Sequence, residues 1–384
     1  MTPAGRGGAP RVALVHDWLT GMRGGEKVLE ALCTLYPDAP LYTLVHVPGS
    51  VSPLIESRRI VTSFVQALPA SGRHYRNYLP LFPAAVEWLN LDGYDLVISS
   101  SHCAVKSVQR PASAVHVCYC HSPMRYAWDQ FDQYFGPRQV GATASRVLRP
   151  IMAGLARWDA ATAGRVDQYV ANSRYVADRI RRYYNRASTV VYPPVDTTFY
   201  RPAPSRATDA PFLIVSALVP YKRVDLAIEA CQRIGARLDI VGRGPERDRL
   251  ERLAGPGVRF LGWKEDVEIR ALYQQAPAVL LPGTEDFGMV PVEAQACGTP
   301  IVALGAGGAL ETVQPGVTGI LAQESSVESF AAALDECRRS AFDHDAIRTN
   351  AERFARERFL EQFPAVVEQA VRDRDARLAM ERAS

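Results

Sequence analysis

Short apolar runs of strand length recur along the chain, separated by segments of helical or irregular pattern. In the first half they are residues 11–16 (RVALVH), 39–45 (APLYTLV), 95–101 (DLVISSS), 113–120 (SAVHVCYC), 168–173 (QYVANS) and 188–195 (STVVYPPV). These runs are apolar throughout or nearly so, the pattern of strands buried on both faces. A proline-rich break follows, and periodicity is lost over 196–210. The alternation then resumes with PFLIVSAL (211–218), ARLDIV (236–241), VRFLG (258–262) and AVLL (278–281), followed by PIVALGAGGALET (300–312) and GVTGILA (316–322). Helical spacing marks VLEALCTLY (28–36), LAIEACQRI (226–234), 327–338 and 343–359, and an amphipathic segment (359–378) near the end. Strands that alternate with helices predict parallel, doubly wound sheets. Two such series predict an α/β chain with one domain over 11–195, a linker over 196–210, a second domain over 211–360 and a terminal helix over 361–384. Ligands of such sheets bind beyond the carboxyl ends of the strands, so the residues there are the candidates for function.

The composition adds limits. With 384 residues the chain is long enough for two or three cores. Charged residues make up 22% and the net charge is +3, too small a surplus to argue for nucleic acid. Seven cysteines, scattered and odd in number, argue against a disulfide framework and for a reducing compartment. The first residues, MTPAGRGGAPR, lack the apolar core of a signal peptide, and residues 1–10 have the composition of a disordered tail. No apolar run has the length to span a bilayer. The expectation is a cytoplasmic protein.

The richest stretch is 278–300, AVLLPGTEDFGMVPVEAQACGTP. A strand leads into the turn Pro282-Gly283-Thr284, then Glu285 and Asp286. Gly288 opens a helix with Pro291 in its first turn, and Cys297-Gly298-Thr299-Pro300 closes it. Glu285 therefore sits beside a helix N-terminus, whose unpaired N–H groups and partial positive charge suit an anion. A carboxylate is an acceptor-only group able to hold sugar hydroxyls, and Glu293, further into the helix, is placed for a second diol such as a ribose.

Three other loops have the strand–loop–helix layout. Gly21-Met22-Arg23-Gly24-Gly25-Glu26-Lys27 follows the first strand, with glycines that permit close approach to the backbone, though its spacing matches no standard phosphate loop. Lys222, in VPYKRVD, lies beyond a strand and before a helix. Gly242-Arg243-Gly244-Pro245-Glu246 lacks the third glycine of a dinucleotide fingerprint. Trp263 and Lys264 follow the strand at 258–262. In the first half, Ser99-Ser100-Ser101-His102 and His121-Ser122-Pro123 end strands. The run H116-V-C-Y-C-H121 puts His116, Cys118 and Cys120 on one strand face and His121 on the other, which favours packing over a metal site.

Residues 138–186 hold ten Arg and three Asp, with apolar residues interleaved. Two readings compete: a solvated helical face, or a docking surface for anionic lipid or a lipid-diphosphate.

The string E285-D-F-G-M-V-P-V-E293 with Gly298-Thr299-Pro300 resembles the retaining glycosyltransferases of family 4, which have the GT-B fold of two Rossmann-like domains facing a cleft. The resemblance covers nearly the whole chain and is nearest to mannosyltransferases of bacterial polysaccharide and O-antigen assembly. It implies a nucleotide-sugar donor, GDP-mannose by analogy, and a glycan or lipid-linked acceptor, with no metal or other cofactor and no nucleic acid. It implies that Glu285 contacts the donor sugar and Glu293 the ribose, with Phe287, Gly288 and Met289 between them. It places Gly24, Gly25 and Lys222 at the diphosphate, Gly242, Trp263 and Lys264 about the nucleotide, and His121 beside the transferred sugar. Arg125-Tyr126-Ala127-Trp128-Asp129 would shape the acceptor side, and the last helix would cross back onto the first domain. One departure stands out: where the family commonly has Gly-Arg before the lysine loop, this chain has Ser216-Ala217, and Arg223 is the cation nearest to hand. Epimerases and phosphorylases share the fold, and a nucleotide-sugar-binding subunit without activity would share the motifs.

Overall fold

A computed structural model describes residues 10–205 and 209–383; residues 1–9, for which a disordered tail is expected, lie outside the described residues. The chain divides into two units. The first comprises Met1–Asn172, Val176–Val191 and Leu360–Ser384, and the second comprises Ser173–Tyr175 and Tyr192–Phe359.

The first unit is built on seven strands: β1 (Val12–His16), β2 (Leu41–Thr43), β3 (Ile60–Thr62), β4 (Leu96–Ser101), β5 (Val115–Cys120), β6 (Gln168–Ala171) and β7 (Ser188–Val190). Their order in the sheet is β3-β2-β1-β4-β5-β6-β7, all parallel. The side chains of β4 and β5 are buried on both faces, as expected for apolar runs covered by helices. The chain winds outward from β1 in one direction and then from β4 in the other. This creates a switch point between the carboxyl ends of β1 and β4, where neighbouring loops leave in opposite directions and open a crevice.

The second unit repeats the plan with six strands: β8 (Phe212–Val215), β9 (Leu238–Val241), β10 (Val258–Gly262), β11 (Val279–Leu281), β12 (Ile301–Leu304) and β13 (Gly319–Ala322). Their order is β10-β9-β8-β11-β12-β13, again parallel, with the switch point between β8 and β11. One face of this sheet packs Leu226, Ile228, Phe330 and Leu334 from the helices Val224–Arg233 and Val327–Arg339. The other packs Val292, Ala296, Ala351 and Phe354. These are two Rossmann-like α/β units of the GT-B fold.

Several boundaries differ from the sequence expectation. The helix expected at 28–36 begins earlier, as Gly24–Leu35, so Gly24 and Gly25 form its first turn and not a loop ahead of it. The acid Glu26 in that turn favours the early start. Strand β3, half-buried along its length, lies outside the apolar runs of the sequence. The helix expected over 343–359 is interrupted: His344–Glu352 ends, and Arg356–Ala383 begins anew. Between them Val195 pairs with Ala355 in a strand-like bridge, its N–H donating to Phe354 O (3.1 Å) and its carbonyl accepting from Arg356 N–H (2.9 Å). Those bonds take the backbone groups that a continuous helix needs. Residues 196–205, expected as linker, pack on the second unit, with Thr197 and Tyr200 buried.

Candidate functional site

In the second unit the carboxyl ends of β8 and β11 bring Lys222 and Glu285 together. The Lys222 ammonium donates to Glu285 Oε1, and both side chains are largely but not fully enclosed. The loops owe this approach to missing side chains. A Cβ on Gly283 would stand 2.4 Å from Tyr221 O and 2.9 Å from Lys222 Cα, so only glycine lets the two loops touch. On the other side a Cβ on Gly307 would stand 2.3 Å from Glu285 O, and Gly308 N–H donates to that carbonyl at 2.8 Å. Gly307 and Gly308 thus serve close packing against the Glu285 loop, while Gly305 faces Ala322 O.

Phe287 is buried, its ring centroid 5.5 Å from that of Phe354 and 5.7 Å from that of Tyr192, so it anchors the loop to the core. Gly288, at φ +81°, caps the helix Met289–Ala296. Glu293 lies inside that helix, 6% exposed, and accepts a hydrogen bond from the fully buried Tyr273 hydroxyl at 3.1 Å. The carboxylate expected at a ribose is therefore buried within the fold.

The glycines after β9 meet the loop after β8. A Cβ on Gly242 would lie 1.8 Å from Ser216 O, and one on Gly244 2.2 Å from Leu218 O. Gly242 N–H donates to Gly262 O at 2.7 Å, so that amide is already engaged. Trp263 is 58% exposed, with the Arg243 guanidinium carbon 6.0 Å from its ring centroid. Lys264 pairs with Glu268 at 2.7 Å. Arg223, at φ +50°, bonds Asp225 (3.3 Å) and Ser325 (3.0 Å). The structure thus joins Lys222 to Glu285, while the Arg223 guanidinium is held by other partners.

In the first unit, His16 ends β1 and Asp17 follows it, Ser100 lies near the end of β4 with His102 just beyond Ser101, and His121 follows β5. Asp17 is fully buried and accepts four backbone N–H bonds, from His102 (2.7 Å) and Cys103 (2.9 Å) on Oδ2 and from Ala104 (2.7 Å) and Val105 (3.0 Å) on Oδ1. That carboxylate folds the loop after β4 into a cradle. Ser100 Oγ lies 3.1 Å from His16 Nδ1 and 2.8 Å from His121 Nε2. A Cβ on Gly25 would be 3.6 Å from His16 and 3.8 Å from His121, which places the first turn of Gly24–Leu35 against both rings. The amides of Gly24 and Gly25 have no acceptor one turn earlier in the helix. Burial, with the neighbouring His102 and His16, pushes His121 well below the usual histidine range, so its ring is neutral at physiological pH. Burial likewise pushes His102 down to about 3.

His116 is spent on structure: its ring bonds Ser99 Oγ (2.8 Å) and Arg165 O (3.2 Å). Among the described residues no group of three or more His, Cys, Asp or Glu is arranged to hold a metal ion. The 125–129 stretch is also engaged internally, Trp128 Nε1–H donating to Asp159 at 2.7 Å and Asp129 pairing with Arg179. Of the ten arginines at 138–186, Arg149 pairs with Asp132 and Arg165 with Glu87, and Arg186 donates to Val166 O. Arg146, Arg157, Arg181 and Arg182 are exposed, as is Val147. Among the described residues no helix is long and apolar enough to cross a membrane.

Residues 22–199 match the family described as Glycosyltransferase Family 4, and residues 196–354 match Glycosyl transferases group 1. The D-inositol 3-phosphate glycosyltransferases of Mycobacterium bovis and Mycobacterium tuberculosis are 34% identical over 171 residues, covering 39% of this chain and 36% of theirs. The chain thus spans about a third of the length of these relatives. Among solved structures, Anabaena HepE in complex with UDP and glucose superposes with TM-score 0.67 at 21% identity over 94% of this chain and all of the other. Sucrose-phosphate synthase from Thermosynechococcus elongatus gives 0.67 at 19% identity, covering 98% of this chain and 100% of that one. The lipopolysaccharide outer core galactosyltransferase WaaB gives 0.65 at 17% identity, covering 94% and 99%. At these identities the structural likeness speaks for the fold.

Proposed function

From a GT-B chain that is family-4-like in its first half and group-1-like in its second, we propose a glycosyltransferase that moves a hexosyl group from a nucleoside diphosphate sugar to a hydroxyl of a glycan or lipid-linked acceptor, with retention at the anomeric carbon. The observation that carries this reading is the Lys222–Glu285 pair at the β8/β11 switch point, beside the helix capped by Gly288. A switch point is where doubly wound sheets take their ligands. It holds here a cation suited to a diphosphate and a carboxylate suited to sugar hydroxyls.

In this reading the anomeric C–O bond to the diphosphate breaks as an acceptor oxygen bonds to the same carbon. The hydroxyl proton leaves with the departing diphosphate. The protein's work is positioning and charge stabilisation. Lys222 turns from Glu285 to the phosphates, freeing the carboxylate for the sugar. Gly288 and Met289 add helix-terminal amides, Phe287 fixes their loop, and Glu293 takes the ribose. Trp263 and Lys264 flank the base, with Gly242 shaping the loop below. Arg223 would need a new rotamer to stand in for the arginine that Ala217 replaces. In the first unit, the helix-terminal amides of Gly24 and Gly25 suit an anionic group, and neutral His121 suits a sugar hydroxyl. No residue role in this scheme calls for a metal or other cofactor.

GDP-mannose is the proposed donor, and bacterial polysaccharide assembly the proposed setting, on motif resemblance. Anabaena HepE was solved in complex with UDP and glucose, so uridine donors belong in the same test. The test is a donor panel of GDP-mannose, UDP-glucose, UDP-N-acetylglucosamine and ADP-glucose, read by thermal shift and slow donor hydrolysis. One donor at a hundredfold its Kd stabilises by about 2.7 kcal/mol. Glu285→Gln and Glu293→Ala should abolish that selective shift. Product from donor alone would favour an epimerase, and a need for orthophosphate a phosphorylase. Donor binding with neither hydrolysis nor transfer would leave an inactive subunit, and no binding by any donor would sink the assignment.

The exposed Arg146, Val147 and Arg157 of the helix Ala142–Ala161 favour peripheral contact with an anionic membrane face, consistent with a lipid-linked acceptor in a cytoplasmic setting. Co-sedimentation with phosphatidylglycerol vesicles, lost in the double variant Arg146→Glu/Arg157→Glu, tests it.

A further inference from the structure

Four polar side chains run in a line through the carboxyl edge of the first sheet. Glu26 Oε1 lies 3.7 Å from His16 Nε2, His16 Nδ1 3.1 Å from Ser100 Oγ, and Ser100 Oγ 2.8 Å from His121 Nε2. His16 and Ser100 are fully buried and Glu26 is 3% exposed. Among the described residues His16 Nε2 has no hydrogen-bond partner, and the carboxylate in front of it at 3.7 Å is the interaction that decides its proton.

A hydroxyl carries one proton, so Ser100 donates to one ring and accepts from the other. The direction is set at Glu26. Burial raises the Glu26 carboxyl, but the His16 contact outweighs it and leaves the group below its ordinary value, and its place in the first turn of Gly24–Leu35 also favours the carboxylate. It is therefore an anion at neutral pH. A buried carboxylate attracts a ring N–H and repels a ring lone pair, with little solvent to screen the difference. His16 accordingly keeps its proton on Nε2. Its Nδ1 is then an acceptor, and the Ser100 hydroxyl donates to it. The Ser100 oxygen accepts in turn from His121 Nε2–H. His121 Nδ1, which bonds no described residue, is left as a bare lone pair.

We propose that Glu26, acting through His16 and Ser100, fixes His121 in the Nε2–H tautomer, so that Nδ1 is presented as an acceptor for a ligand hydroxyl. Glu26, His16 and Ser100 are positioning residues in this scheme. The role of Nδ1 toward a sugar hydroxyl rests on the function proposed above; the tautomer does not. It is a property of the free protein.

The experiment is a long-range proton–nitrogen correlation on full-length protein labelled with nitrogen-15 histidine, at neutral pH without ligand. The His16 and His121 signals are assigned by their loss in His16→Gln and His121→Gln. Both rings should show a protonated Nε2 and a bare Nδ1. In Glu26→Gln the amide can donate to His16 Nε2, so His16 and His121 should shift together toward the Nδ1–H form. In Ser100→Ala, His16 should keep its tautomer while His121 becomes a mixture. Nδ1–H at His121 in the wild type overturns the proposal, as does an imidazolium at His16, which would reverse the chain. A change at His16 in Glu26→Gln that His121 does not follow also overturns it. If neither variant folds, the wild-type tautomers alone decide. A correct tautomer with an empty donor panel would sink the function and leave this inference standing.

Discussion

Asp17→Asn tests how the first unit shapes the loop after β4. The carboxylate takes two N–H bonds on each oxygen, from four consecutive residues after β4. An asparagine offers one acceptor oxygen. With that oxygen toward Ala104 and Val105, its NH2 group faces the N–H groups of His102 and Cys103, donor against donor. Two amides, one buried and one part-buried, lose their partner, and each such loss costs about 1–3 kcal/mol. The total is about 4 kcal/mol at the middle of that range. For a unit of roughly 200 residues, each kcal/mol lowers Tm by about 2–4 °C, so the first unit should melt about 8–16 °C lower. Differential scanning calorimetry reads this directly, and because the two units need not unfold together, the second transition serves as an internal reference. A shift of less than about 2 °C would mean that water satisfies these amides as well as Asp17 does, and that the carboxylate does not hold the loop.

Other outcomes follow from buried charge and crowded backbone. Lys106 is 1% exposed and pairs with Asp159 at 3.0 Å, so Lys106→Met should cost about 3–5 kcal/mol by stranding the carboxylate; adding Asp159→Asn should recover part of it in urea denaturation. Burial pushes His116 down to about 4 from an ordinary value of 6.5. Between those values the unfolded chain binds a proton that the folded chain refuses, so stability falls as pH drops from 6.5 toward 4. The loss is about 3 kcal/mol from this residue, and His116→Gln should flatten that part of the stability–pH profile. Gly242→Ala would drive a Cβ into Ser216 O at φ +139°. Strain of about 1–3 kcal/mol adds to that clash, and the second transition should drop while the first holds.

The sequence was informative wherever local pattern and position along a strand carry the meaning. Apolar runs marked most of the strands, and the turn chemistry of Pro282-Gly283 and Gly288 marked the loop and helix that carry Glu285. It was silent at the half-buried strand Ile60–Thr62 and misleading at the break before Arg356, which a long-range bridge decides. His16, Asp17 and Glu26, gathered at the carboxyl edge of the first sheet, are not among the residues that the sequence motifs single out. The signal was present, since a histidine and an acid directly end β1 and an acid follows two glycines, but nothing local says which way they face.

What the sequence determined by itself, then, is the periodicity: two series of buried strands and helices, and the residues that fall just beyond the strand ends. Periodicity is local, and hydrophobic burial enforces it strand by strand. Only the tertiary structure decided the strand order, and with it the switch points that join Lys222 to Glu285 and Ser100 to both His16 and His121. Those contacts link residues 21 to 84 positions apart, and they exist because one parallel register aligns carboxyl ends that no local pattern can place side by side.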